Sequence, residues 1–339
     1  DTTGHSNTAM GYQALSAATV GSENVAIGAY AGKAYVGTTS SVYGGLSVFV
    51  GHTAGFQLTG NASYGSVCVL GHAAAYSATG ANKITAVGNS AMYYADGALN
   101  TTAVGRTAGA YDEGTGSVWV GDSAGYRISG NYNVAVGYEA LSGASSGTGF
   151  GTAANNVAIG RQALASATSA QNIVAIGYKA GYAQTTNDEG SIYIGSNCGG
   201  ADYGNNRNLF IGFDCGNKVT TGANNLAIGH KALEDNLTGV HNIVIGRQAG
   251  SNLLGNQNVA LGTYALEDAV TQYYNTAIGD AAMSNSTGGD RNVAVGTSAM
   301  MNDSAGTGGS NNVAIGFGTL RQNSDSGQVA VGSNSMNVN

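Results

Sequence analysis

A five-residue string, Asn-x-Ala-Ile-Gly in its plainest form, returns along the whole chain and leaves few folds open to it. Clear copies read Asn24-Val25-Ala26-Ile27-Gly28, Asn156-Val157-Ala158-Ile159-Gly160 and Asn292-Val293-Ala294-Val295-Gly296. The closing glycines fall at 11, 28, 51, 71, 88, 105, 121, 137, 160, 177, 195, 212, 229, 246, 262, 279, 296, 316 and 332, mostly 16 to 18 residues apart. Length alone would divide 339 residues into two or three domains. A fixed period overrides that prior, because stacked repeats bury a continuous core at any length.

Each Asn-to-Gly run holds three or four β-formers and is too short for a helix. Turn residues follow, as in Gly60-Asn61, Gly130-Asn131 and Gly255-Asn256. One strand per copy, stacked in register at about 4.8 Å, predicts a parallel β-solenoid roughly 90 Å long. The recurring Asn either stacks into a ladder of amide hydrogen bonds or fits the turn of its own copy, and both readings stay open. Four spacings are longer, with insertions at Gly37 to Gly45, Thr59 to Ser66, Gly143 to Ala154 and Asp303 to Ser310. Their place in the unit puts them on one edge, where plain flexible loops are the simplest account.

With the repeat glycine as position zero, −3 and −1 share one strand face and −2 takes the other. Position −2 is usually Ala but is Phe49, Val69, Trp119, Tyr193, Phe210 and Val244 in six copies. Position +4 is Leu or Met in ten copies, Leu141 and Leu233 among them, and each of those has Ala at −2. Where −2 is bulky, +4 is Gly or Ala, as in Gly55 and Gly125. Two positions that trade volume share one packed space, so Phe49, Trp119, Tyr193, Phe210, Leu141 and Leu233 are expected in the core. Ala26/Gly32, Ala103/Gly109 and Ala175/Gly181 are small at both positions, and Tyr35, Tyr111 and Tyr182 are the candidates to fill them. Both strand faces are apolar, as in strands buried on both sides. A coil of this size is narrow, so the second face points to a neighbouring chain.

The strings Asn7-Thr8-Ala9-Met10-Gly11-Tyr12-Gln13-Ala14-Leu15, Asn133-Val134-Ala135-Val136-Gly137-Tyr138-Glu139-Ala140-Leu141 and Asn275-Thr276-Ala277-Ile278-Gly279 resemble repeats of bacteriophage tail fibres. They are also similar to the head repeats of trimeric autotransporter adhesins. The resemblance runs over essentially the whole chain. It implies an intertwined homotrimer of left-handed parallel β-rolls, displayed outside a cell or on a virion surface, attaching to a host-surface glycan or protein. The long unit and the Tyr-Gln-Ala-Leu and Tyr-Glu-Ala-Leu variants favour the phage side. The expectation is therefore an all-β parallel β-solenoid of about nineteen turns, one domain over 1–339, acting as a structural and adhesive fibre segment. An adhesin head, a glycan-hydrolysing fibre and a purely structural filament are the alternatives.

Little chemistry competes with that reading. The net charge of −7 and the lack of a Lys/Arg cluster argue against nucleic acid. No apolar run is long enough for a membrane helix, and Asp1-Thr2-Thr3-Gly4 does not read as an export signal. No nucleophile elbow, phosphate loop or zinc-protease motif occurs, so neither an enzyme nor a cofactor is expected. His52 and His72 follow successive repeat glycines in a slot that accepts any residue, which reads as exposed surface rather than a metal site. The pairs Asp112-Glu113, Asp188-Glu189 and Glu234-Asp235 read as solvated turn edges. Cys198 and Cys215 share slot +3 in successive turns, where most copies have Ala, and read as small buried residues. Their expected separation permits a disulfide while their parallel directions make one awkward. Cys68 is expected at an inward strand position. Among the tyrosines, Tyr43, Tyr64, Tyr203, Tyr273 and Tyr274 lie in loops and are the candidate receptor contacts.

Overall fold

The computed structural model describes residues 4–336 apart from 19–20, 37–45, 60–65, 144–150, 185–189, 202–206, 269, 287, 303–308 and 323–324. Every copy forms one three-residue strand, and in all nineteen it is the triplet just before the repeat glycine. Among the described residues there is no helix. The chain comprises two compact units, Asp1–Asn172 and Ile173–Asn339. The first holds β1 (Thr8–Met10) to β9 (Val157–Ile159), the second β10 (Val174–Ile176) to β19 (Val329–Val331). Within each unit every strand pairs in parallel with the next in sequence. Ala26 lies opposite Phe49 and Phe49 opposite Val69 in the first; Tyr193 lies opposite Phe210 and Phe210 opposite Ala227 in the second. The fold is thus the parallel β-solenoid that the period predicts. Most residues of the four long insertions lie outside the described residues.

The strand stops at the glycine for two reasons at once. Gly137 has φ +135°, a region L side chains rarely adopt, and a Cβ there would lie 2.6 Å from the carbonyl oxygen of Gly160 in the next turn. Past the glycine the backbone swings through left-handed conformations at +2 and +4, as at Glu139 (φ 52°) and Leu141 (φ 47°). The Glu139 N–H bonds back to the Asp122 carbonyl and the Leu141 N–H forward to that of Ala163, both at 2.9 Å. The arc therefore bonds the turn on either side, as a strand would. A chain whose N–H groups are engaged this way has no place for proline, and it contains none. Left-handed geometry at +4 also explains its vocabulary. Gly, Ala, Leu and Met occur there, and the β-branched residues that this geometry strains most do not.

Inside the coil, −2, +3, +4 and +7 point inward together. Phe49, Trp119, Tyr193, Phe210, Leu141 and Leu233 are all 0% exposed, and the expected trade of volume is a direct contact. A Cβ on Gly125 would overlap the Trp119 ring of its own turn, and one on Gly109 in the preceding turn would lie 2.6 Å from the same ring. A large −2 side chain thus fills its own turn and the one before it. All three doubly small copies directly precede an aromatic one, Phe49, Trp119 or Tyr193. Of the three tyrosines expected to fill them, only Tyr35 turns inward, its ring centroid 5.1 Å from that of Phe49. Tyr111 and Tyr182 stay half-buried on the outer edge, and Asp112 and Gln184, at +7, turn in instead. Slot +7 completes the exchange. It is large beside Gly at +4 (Leu58, Ile128, Val219, Leu253) and small or polar beside Leu or Met (Ala95, Ala167, Asn236, Ser286).

The asparagines at −4 form a ladder from side chain to backbone. Asn225 Oδ1 accepts the N–H of Asn242, and Asn242 Oδ1 that of Asn258, each at 2.9 Å. Meanwhile Asn225 Nδ2 donates to the Gly239 carbonyl and Asn242 Nδ2 to that of Gly255, at 2.8 and 2.9 Å. Each amide therefore closes the entry to the next turn's strand. The local-turn reading holds as well, since Asn133 Nδ2 also donates to the Gly130 carbonyl at 3.1 Å. Where Ser stands in the column, its hydroxyl does the accepting, as Ser191 Oγ does from the Asn208 N–H at 3.1 Å. Replacing Asn242 by Ala strands the buried N–H of Asn258 and should cost about 1–3 kcal/mol. Asn242→Ser, which keeps an acceptor, should cost less; equal urea midpoints for the two variants would show that the acceptor is not what matters.

Candidate functional site

The outer wall of each turn offers surfaces of different chemistry. The first is the sheet face formed by −3 and −1. From β1 to β19 neither position holds a charged, Asn or Gln side chain. Val, Ile and Leu dominate, with Thr8, Thr85, Thr102, Thr276, Cys68 and Met10 as the variants. Val118 and Val120 are each 36% exposed, and Ile243 and Ile245 42% and 38%. The two strand faces are thus unequal in a single chain: −2 is sealed inside the coil, and the −3/−1 face lies partly open. Cys68 belongs to that outer face and is half-buried, not inward as its place in the strand suggested. Its slot is −3, on the opposite side of the pleat from −2.

The second surface lies along +5 and +6 of the first unit. Phe56, Tyr76 and Tyr93 occupy +5 of three successive turns, with centroids 5.0 Å apart and planes within 7° of parallel. Tyr94 at +6 stands at 89° to Tyr93 and leads through Tyr111 to Tyr126. Cations lie against the rings at each end: Lys33 Nζ is 5.4 Å from the Phe56 centroid, and the Arg127 guanidinium 5.7 Å from that of Tyr126. Burial first, then the neighbouring phenols, hold the hydroxyls of Tyr93 and Tyr111 protonated to higher pH than usual. The sequence reading did not pick out this run. Its signal was nevertheless present, since aromatic residues recur at two adjacent offsets, +5 and +6, from the repeat glycine.

The loop tyrosines fare differently. Tyr43, Tyr64 and Tyr203 lie outside the described residues. Tyr273 and Tyr274 are neighbours, 39% and 52% exposed, with the Arg291 guanidinium 5.7 Å from the Tyr274 ring. His52 and His72 are exposed and stack at 5.2 Å, and no group of three metal-ligating side chains occurs among the described residues. Cys198 and Cys215 are buried free thiols that donate to the carbonyls of Phe210 and Ala227 at 3.2 and 3.3 Å. Burial pushes the Cys198 thiol far up. Of the acid pairs, Asp188-Glu189 lies outside the described residues.

Asp112 overturns the expectation of a solvated edge. It is fully buried at +7, the slot that faces the Trp119 ring, while Glu113 at +8 faces solvent. Its carboxylate accepts the Trp119 Nε1–H at 2.9 Å and the Gly114 N–H at 2.8 Å. Burial raises its pKa to about 6, against the pull of those bonds.

No protein-family model matches the sequence, and no curated protein does. Among the described residues no helix is long and apolar enough to cross a membrane.

A buried carboxyl with a raised pKa stabilises the fold fully below its unfolded value of 3.8, and loses that contribution as pH rises through about 6. The swing is on the order of 3 kcal/mol. Acidification from pH 7 to pH 5 should therefore raise the unfolding midpoint reported by Trp119, the sole tryptophan. Asp112→Asn should flatten that dependence, and identical pH slopes for the two proteins would refute the assignment.

Proposed function

We propose that this chain is a segment of a trimeric fibre of left-handed β-rolls, of the bacteriophage tail-fibre type, that spans distance outside the cell and attaches to a host surface. The observation that carries the reading is the charge-free −3/−1 face. Nine three-residue strands make a strip of about 430 Å² in flat projection, and ten make about 480 Å². Each strip is thus a little over half of the ~800 Å² per partner of stable protein interfaces. A strip of that size matches the largest apolar patch of an ordinary soluble protein, which is often a contact surface. Two parallel columns, −3 and −1, suit a cyclic assembly in which each chain gives one column to each of two neighbours.

The proposed partner is first of all the chain itself, and then a host glycan or protein; no nucleic acid and no membrane insertion enters the reading. The role is mechanical and adhesive rather than catalytic. Asp112 is sealed against Trp119, and Glu234 is held by Lys231 at 3.2 Å, so neither pair is set to flank a substrate bond. The resemblance to tail-fibre repeats supports the location on a virion, and the stacked backbone supports rigidity.

Sedimentation of the native protein should give three times the chain mass. Replacing Ile243 and Ile245 by Lys places two charges in the interface and should shift the assembly toward monomer. A wild-type protein that sediments as a stable monomer would refute the proposal.

A further inference from the structure

The repeats supply their own control for the +5/+6 edge. In the second unit Tyr182 is the one ring described at these slots, and later turns hold polar residues such as Asn217, Lys218, Glu234, Ser251 and Asn252. The arc beneath is unchanged: φ at +4 is 54° at Leu233 and 52° at Met92. The fold therefore does not require rings at +5 and +6. A run of six aromatic side chains over five turns of one unit serves something other than closing the turn.

We propose that this edge is the binding surface for a linear, carboxylate-bearing glycan lying along the coil axis, seated on Tyr94 and Tyr126 with Lys33 and Arg127 at its acidic ends. Phe56, Tyr76 and Tyr93 cover one another's faces, so they offer a guest their rims and the hydroxyls of the two tyrosines. Tyr94 is turned across that stack and is 44% exposed, which leaves its ring available to the apolar face of a pyranose. Alternating ring and hydroxyl is the surface a sugar presents in return. A second copy of the chain is the poorer occupant, because the charge-free sheet face already offers it a larger apolar surface. Charge sets the class of glycan: a cation lies against the rings at both ends of the run, while of the acids beside it Asp122 is held in a two-point pair by Arg106 at 2.9 and 3.0 Å, Asp96 accepts the Thr79 N–H, and Glu113 faces solvent.

This inference rests on the host-attachment reading and places its contact on the first unit rather than on the loop tyrosines. The test is calorimetric titration of the intact protein with an oligogalacturonate and with a neutral glucan of equal length. The expected result is binding of the acidic chain at least ten times tighter than the neutral one. Tyr94→Asn and Tyr126→Ser, residues the repeat itself carries at those slots, should each weaken binding about tenfold without moving the melting temperature. If either variant melts early, Lys33→Ser with Arg127→Asn, at half-buried positions where the repeat elsewhere carries those residues, should still remove the preference for the acidic chain. Binding that survives all of these but is lost in Tyr273→Ala/Tyr274→Ala would overturn the inference and leave glycan attachment standing. Equal affinity for the two glycans would overturn the charge assignment, and no binding to either would overturn the inference.

Discussion

Everything in this fold follows from backbone stacked on backbone with no side chain between. At the repeat glycines from Gly11 to Gly137 and from Gly177 to Gly316 the α-carbon lies so close to the next turn's glycine carbonyl that a methyl group has no room, as at Gly28 against Gly51. That column fixes which residue sits above which. Once it is fixed, the asparagine four residues earlier must meet the N–H of its counterpart, and the −2 side chains must meet one another. A slip of one residue would carry the valines and isoleucines inward and leave Asn Oδ1 facing no donor. Register, ladder and core are therefore not three separate sources of specificity. They are consequences of one close approach repeated along each unit.

A coil this narrow has room for few side chains, which makes its interior a strict volume account. Trp119 is accommodated because Gly109 and Gly125 vacate the space on either side and Asp112 satisfies its indole N–H. Tyr193 makes the same arrangement with Gly199 and with Gln184, whose amide donates to its hydroxyl at 3.1 Å. Phe49, which has no polar atom, is met instead by the ring of Tyr35. The +7 residue is thus chosen by the aromatic side chain of the following turn. In the turn before Trp119 that choice places a carboxyl where burial makes it hard to ionise, a cost that persists because the indole needs an acceptor there.

With the inside filled, function is left to the outside. The strand pleat sends −3 and −1 outward as two columns of β-branched side chains, a geometry suited to association between chains. The arc sends most +5 and +6 side chains to another edge, where rings, charges and small residues such as Ser251 and Ser284 all occur. That freedom is where the two units part company: a run of six rings over five turns of the first, and in the second an isolated Tyr182 followed mostly by amides and charges. The proposed assembly and recognition surfaces therefore fall on different slots of the repeat, so a substitution at one does not touch the other.

The period, the strand positions and the interior were legible in the sequence because each is a local rule repeated many times. Asn225, Ala227 and Gly229 read the same way as their counterparts a turn later, and the exchange of Trp119 with Gly125 shows in composition alone. What the sequence could not decide was direction where neighbouring residues compete. Tyr111 and Asp112 stand side by side, and apolarity favours burying the tyrosine; the structure buries the acid because only +7 faces the axis and Trp119 lies across from it. Cys68 looked inward for the same reason, since alternation says that faces differ but not which face is the core. The aromatic edge, too, became a surface only when turns seventeen residues apart in sequence came within 5.0 Å in space. Local pattern fixes conformation along the chain, whereas the side on which a residue ends depends on how the turns close.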